Sequence, residues 1–107
     1  GTVPQGVPGF MHYVTSKAAV VGMTRVMARE LGDYNINVNA IMPGYTETEV
    51  EHASAGDDLR QFVQDIRILK RVETPDDLIG LVMFLASPAS AFITGQSIAC
   101  CGGEVML

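Results

Sequence analysis

The sequence predicts an α/β fold, in which helices alternate with two short strands lying parallel in one sheet. Two observations carry that expectation. Residues 36 to 42, Ile-Asn-Val-Asn-Ala-Ile-Met, form a short run with the length of a buried strand, and Pro43-Gly44 ends it abruptly. Residues Ser97 to Cys101 read as a second strand, and helical periodicities occupy the interval between them. Strand, helices, strand in that order is the right-handed crossover of a parallel sheet.

The elements follow in chain order. A long helix runs from about Phe10 to Leu31, rich in alanine and valine, with Gly32 as its C-terminal stop. Its apolar positions Ala18, Val21, Met27 and Leu31 are expected to pack on a sheet or on another subunit. Asp57-Asp58 open a shorter helix in which Leu59, Phe62, Val63, Ile66 and Leu69 recur at helical spacing and read as core or lid packing. Thr74 as N-cap, Pro75 at the first helical position and Asp77 three residues beyond Thr74 give a third helix a capping-box start. That helix extends to about Ser87, where Pro88 ends it. Internal repeats and low-complexity linkers are absent.

Composition narrows the partners. The 107 residues are 48% hydrophobic, enough for a globular core, and carry seven basic against twelve acidic side chains, a net charge of −5. Lys and Arg are not clustered, which argues against a nucleic-acid partner. No run of eighteen apolar residues suggests a membrane span, and no secretory leader is recognisable. Cys100 and Cys101 are neighbours in a strand, so their side chains point to opposite faces; the simple reading is a reduced thiol pair in a cytoplasmic protein. His12 and His52 do not complete a metal site with them. Asn37 and Asn39 are read as holding local backbone groups, and His12 as a surface histidine.

Tyr13 and Lys17 are the most informative residues. At i and i+4 of one helix they share a face, and a cation within several ångströms of a phenol favours the phenolate and lowers a pKa that is near 10 in a free tyrosine. The pair therefore makes a plausible acid/base device. Taken alone, it also fits an exposed helix on which the lysine covers the tyrosine ring.

Around this pair stands an ordered set of signals: the run ending at Met42, Pro43-Gly44, then Tyr45, Thr46, Glu47 and Thr48, then Arg71, Thr74-Pro75-Asp76-Asp77, Phe84-Leu85-Ala86-Ser87, Ile93-Thr94-Gly95-Gln96 and Gly102-Gly103. Over essentially all 107 residues the chain resembles the C-terminal, catalytic half of the classical short-chain dehydrogenase/reductases. The fold implied is the C-terminal portion of a Rossmann-type, doubly wound parallel sheet, with residues 1–107 forming part of one domain. The activity implied is NAD- or NADP-dependent transfer of a hydride between nicotinamide and an alcohol or carbonyl substrate.

By the same resemblance Tyr13 exchanges a proton with the substrate oxygen, and Lys17 lowers the tyrosine pKa and binds the nicotinamide ribose. Pro43 and Gly44 form the turn beside the nicotinamide, although an ordinary strand-ending turn fits these two residues as well. Thr48 matches a threonine that contacts the carboxamide or pyrophosphate. Thr46 stands where relatives more often have Ile or Val, whose backbone N–H binds the carboxamide. Tyr45 begins the region that covers the substrate, which extends to about Leu69. A homo-oligomer, dimer or tetramer, is implied. Cys101 departs from the acid of the family's usual Asp-Gly-Gly ending.

The glycine-rich turn that holds a pyrophosphate at a helix N-terminus is absent from these residues, as are the family's asparagine and its serine, which would stand at or just before Gly1. The cofactor-gripping half is thus expected to be missing, and two strands are too few for independent stability. Isolated, the polypeptide is expected to be unfolded, aggregated or completed by another chain. The alternatives are a truncated, non-catalytic piece acting at most in assembly or docking, and an isomerase or dehydratase-like relative that reuses the fold.

Overall fold

The computed structural model describes residues 11–46 and 57–105, with side chains from 15 and from 61 onward in those two stretches. Helix α1 spans Met11–Leu31, strand β1 Ala40–Pro43, helix α2 Asp57–Ile66, helix α3 Asp76–Leu85 and strand β2 Ser97–Cys100. The strands pair in parallel, with Ala40 opposite Ser97 and Pro43 opposite Cys100. The expected α/β order and the parallel crossover are both present.

The boundaries differ from expectation in instructive ways. Helix α1 does not stop on a left-handed Gly32. It tightens into a 3-10 turn over Gly32–Tyr34, and Asn35, at φ 61°, takes the left-handed position and donates its N–H to the Gly32 carbonyl. Asparagine tolerates that conformation better than other side chains, so it serves as the stop. The inward stripe of α1 is also not the expected one. Thr24 and Ala28 are buried, Lys17, Val21 and Leu31 are half-buried, and Ala18 and Met27 are exposed.

Strand β1 begins four residues later than the run at Ile36 suggests. Residues 36–39 lie beside the segment 91–96 and are joined to it chiefly through side chains. Asn37 Nδ2 donates to the Ala91 carbonyl at 2.9 Å, the Val38 N–H to Thr94 Oγ1 at 2.9 Å, and Asn39 Nδ2 to the Ile93 carbonyl at 2.9 Å. Asn39 Oδ1 accepts the Gln96 N–H at 3.1 Å. The asparagines therefore do hold backbone groups, but groups more than fifty residues away in sequence rather than local ones. One backbone bond, from the Gly95 N–H to the Val38 carbonyl at 2.7 Å, precedes the strand, and regular backbone pairing begins at Ala40, whose N–H reaches the Gln96 carbonyl at 2.9 Å.

Helix α2 ends at Ile66, not Leu69, because the Leu69 N–H turns away to the Gly102 carbonyl at 2.8 Å. Among its described side chains only Val63, with Arg67 just past the end, is turned inward; Phe62 and Ile66, like Leu69 beyond them, are exposed, and Leu59 lies outside the described side chains. Helix α3 begins at Asp76, and Asp77 Oδ2 accepts the Thr74 N–H at 2.9 Å, the back-reaching half of the expected capping box. It ends at Leu85, two residues earlier than read from the sequence. Strand β2 likewise ends at Cys100, and Cys101 opens the turn that follows.

Candidate active site

The turn Pro43–Thr46 leaves the carboxyl end of β1, the end at which open parallel sheets bind ligands. Of the residues singled out in the sequence, Pro43, Gly44, Tyr45 and Thr46 are held together here and are half-buried. Thr46 Oγ1 donates to the Gly44 carbonyl at 2.9 Å, and the Thr46 backbone forms an isolated parallel bridge with Glu73. Tyr45 Oη is buried and makes no hydrogen bond among the described residues.

Tyr13 and Lys17 fall within the single helix α1, which lies against β1. Lys17 is half-buried on the same stripe as Thr24 and Ala28. The Tyr13 and His12 side chains lie outside the described residues, as do Thr48, Glu47 and His52.

The side chains that grip the turn come from two other stretches, the connection between α2 and α3 and the turn after β2. The Gly44 N–H donates to Glu73 Oε1 at 3.2 Å and to the Cys100 carbonyl at 3.3 Å; the Tyr45 N–H donates to Glu104 Oε1 at 3.1 Å. Arg67 Nη2 donates to the Tyr45 carbonyl at 3.0 Å and to Glu104 Oε1 at 2.9 Å, and lies 3.7 Å from Glu73 Oε1. Arg67 Nη1 donates to the Arg71 carbonyl at 2.8 Å. A β-carbon on Gly44 would lie 2.7 to 2.8 Å from Glu73 Oε1, Cys101 Cβ and Glu104 Oε1, so only glycine fits. That crowding comes from the chain itself and constrains Gly44 on this side, whatever approaches from the other.

Little in the amino-acid pattern foreshadowed this cluster. Arg67 interrupts an apolar helical pattern one turn after Val63, and its 2% exposure is the reverse of what such a charge suggests. Glu104 is brought back by Gly102 and Gly103, both at positive φ, and a β-carbon on Gly103 would meet the Ile68 side chain at 2.8 Å. The available signal was slight: an arginine one turn after Val63 in an apolar pattern, and, far along the chain, two glycines before an acid.

Charge is distributed unevenly around the cluster. Burial pushes the Glu73 carboxyl above its ordinary pKa, against the opposing pull of Arg67 and the Gly44 N–H. Asp77 lies well below the usual carboxylate range because Arg71 grips it with two bonds, of 2.8 and 2.6 Å, and the Thr74 N–H adds a third. A cavity of about 140 Å³ lies between these groups, lined by Arg67, Arg71, Glu73, Asp77, Cys100 and Cys101 among others. Burial raises the Cys100 thiol. Both cysteines are free, and they face different partners: Cys100 Sγ donates to the Asp77 carbonyl, while Cys101 Sγ exchanges contacts with both backbone groups of Val105. Among the described residues no group of three His, Cys, Asp or Glu side chains can hold a metal, and no helix is long and apolar enough to cross a membrane.

Comparison with known proteins agrees with the geometry. A family model described as enoyl-(acyl carrier protein) reductase matches residues 2–104. A 3-oxoacyl-[acyl-carrier-protein] reductase of Staphylococcus epidermidis is 41% identical over 101 residues, covering 94% of this chain and 41% of that protein. A 2-dehydro-3-deoxy-D-gluconate 5-dehydrogenase of Escherichia coli is 43% identical over 96 residues, 85% of this chain and 36% of its own length. The chain thus spans about two-fifths of the length of the curated relatives it matches. The crystal structure of a short-chain dehydrogenase/reductase of the glucose/ribitol dehydrogenase type from Brucella melitensis superposes with a TM-score of 0.86 at 32% identity, covering 99% of this chain and 42% of that one. A 3-oxoacyl-[acyl-carrier protein] reductase with bound NAD, from the same organism, has a TM-score of 0.79 at 31% identity over 90% of this chain and 34% of its own. A parallel strand pair, the Tyr13 and Lys17 positions on one helix, the Pro43-Gly44 turn and a match along nearly the whole sequence converge: the chain belongs to the short-chain dehydrogenase/reductase family of Rossmann-fold oxidoreductases.

Proposed function

We propose that this chain carries the acid/base portion of an NAD- or NADP-dependent oxidoreductase that moves a hydride between nicotinamide and an alcohol or carbonyl substrate. The observation that carries the reading is the placement of Tyr13 and Lys17 in one uninterrupted helix lying against the strand whose carboxyl end bears the Pro43-Gly44 turn. The residues present suit a nicotinamide at that turn: it stands at the ligand-binding end of the sheet, and the Tyr45 hydroxyl is buried without a partner among the described residues.

When bound, the nicotinamide supplies the hydride or accepts it. Tyr13 gives a proton to, or takes one from, the substrate oxygen at its hydroxyl. Lys17, one turn away, stabilises the phenolate by its charge and holds the nicotinamide ribose. Pro43, Gly44 and the backbone N–H of Thr46 orient the carboxamide, with Thr48 beside them, and Tyr45 lies on the substrate side. Pyrophosphate binding falls to a glycine-rich turn that these 107 residues do not contain, so activity belongs to an assembly that provides one. A cytoplasmic homo-oligomer acting on a small molecule is the setting we infer. Several relatives are named as 3-oxoacyl-[acyl-carrier-protein] reductases, and a 3-oxoacyl thioester is therefore the first substrate to try.

The test is turnover of NADH or NADPH with such a thioester by the full-length protein. Tyr13→Phe is expected to lower turnover by about a thousandfold, within the range for loss of a positioned acid/base, while nucleotide binding persists. Unchanged turnover would remove Tyr13 from its role. A second reading, a non-catalytic docking piece, is favoured by the many exposed apolar side chains of α1 and α3, and nucleotide binding without any turnover would select it.

A further inference from the structure

We propose that Arg67 is a positioning residue that fixes the backbone of the Pro43–Thr46 turn through Glu73 and Glu104, and thereby sets where a nicotinamide ring lies. Its consequence for the cofactor rests on the function proposed above; its effect on the turn does not.

The hydrogen bonds seize the turn on both sides of one residue. Glu73 takes the Gly44 N–H, Glu104 takes the Tyr45 N–H, and Arg67 donates to the Tyr45 carbonyl. Two successive peptide N–H groups and the carbonyl that follows them thus end on three side chains, two from the connection between α2 and α3 and one from beyond β2. The three side chains are 3%, 6% and 10% exposed for Arg67, Glu73 and Glu104. Two buried carboxylates at neighbouring peptide groups repel one another unless a cation lies between them, and Arg67 is that cation. Its planar fork matters as well as its charge. One nitrogen serves Tyr45 and Glu104 while the other holds the Arg71 carbonyl, a division that a lysine ammonium makes poorly.

The turn cannot drift independently of these groups, because Gly44 is packed directly on them. Glu73 Oε1, Glu104 Oε1 and Cys101 Cβ fill the space a side chain would take. A displaced cluster therefore displaces the turn, and shifts of about an ångström at a reacting ring lower rates strongly. Arg67 itself makes no claim on the reacting atoms. It works only through the peptide groups it secures.

The experiment uses the full-length protein, wild type and as Arg67→Lys and Glu104→Gln. Amide hydrogen exchange at Gly44 and Tyr45 reports the turn, far-ultraviolet circular dichroism the fold, and titrations with NADH and with ADP-ribose the ligand contacts. In Arg67→Lys both amides are expected to exchange about tenfold faster at unchanged helix content, NADH affinity to fall about tenfold, and ADP-ribose, which lacks the nicotinamide ring, to bind as before. Glu104→Gln keeps an acceptor oxygen and removes the charge, so it should loosen Tyr45 more than Gly44. Amides that do not respond in either variant, or equal losses for NADH and ADP-ribose, overturn the proposal. If the wild type binds neither nucleotide, the function proposed above fails. The amide response alone then decides the claim about the turn, faster exchange upholding it and unchanged exchange ending it.

Discussion

Glu73 and Asp77 stand four residues apart, and their surroundings push their acidities in opposite directions. Asp77, held by Arg71 and the Thr74 N–H, ionises more easily in the folded chain than in the unfolded one. Its stabilising contribution is present above the unfolded carboxylate pKa of roughly 4 and is lost as pH falls through the lower folded value. Asp77→Asn should therefore flatten the acid limb of a stability profile below pH ~4, measured as Tm across a pH series. Glu73 behaves in reverse, since burial raises its folded pKa. Its contribution is full below the unfolded value of roughly 4.3 and is lost as pH rises through the folded one. Relative to Glu73→Gln, the wild type should lose Tm as pH rises above roughly 4.3, and parallel curves for the two proteins would contradict this. Residue identities at this scale were only partly readable. The shared helix of Tyr13 and Lys17 is readable from spacing, whereas the contacts of Arg67, Glu73 and Glu104 with the turn span 22, 29 and 59 residues of sequence, which no local pattern encodes.

Elements were more legible in their order than in their limits. Helices and strands occur where periodicity puts them, but the stops are decided by contacts from elsewhere. Helix α2 ends early because Gly102 claims the Leu69 N–H, and β1 starts late because asparagine side chains replace the ladder before Ala40. Asn39 bonds Ile93 and Gln96 at once, so Asn39→Ala should cost about 1–3 kcal/mol in chemical unfolding by leaving those backbone groups unmet. At the end of α1, Asn35→Gly should be close to neutral and Asn35→Val should destabilise by about 1–2 kcal/mol, because a β-branched residue strains at φ 61°. Equal stability of the two Asn35 variants would mean that the left-handed turn is not populated.

At the scale of the whole molecule, the apolar surface outweighs the core. Ala28, Ala40, Val63, Cys101 and Val105 are the buried apolar residues among those described, while Val20, Met23 and Val26 on α1 and Ile79, Val82 and Met83 on α3 are half or more exposed. A two-stranded sheet flanked by such helices gains little from burial on its own. Sedimentation of the 107-residue polypeptide should show self-association or a partly unfolded species, and a cooperative transition of a monomer would refute that expectation. The Rossmann-type architecture was legible from the strand, helices, strand order together with the family's motifs. The bareness of the helix faces was not, because an apolar stripe in a sequence records that something covers it without recording what.

Cys100, half-buried, and Cys101, buried and in contact with Val105, both line the cavity between Arg67 and Asp77. Nature has thus placed two sulphydryl clocks, running at different speeds, beside the charged knot. A maleimide added to the native protein should consume one equivalent quickly and the second slowly, and the interval between the two phases would time how often that knot comes undone.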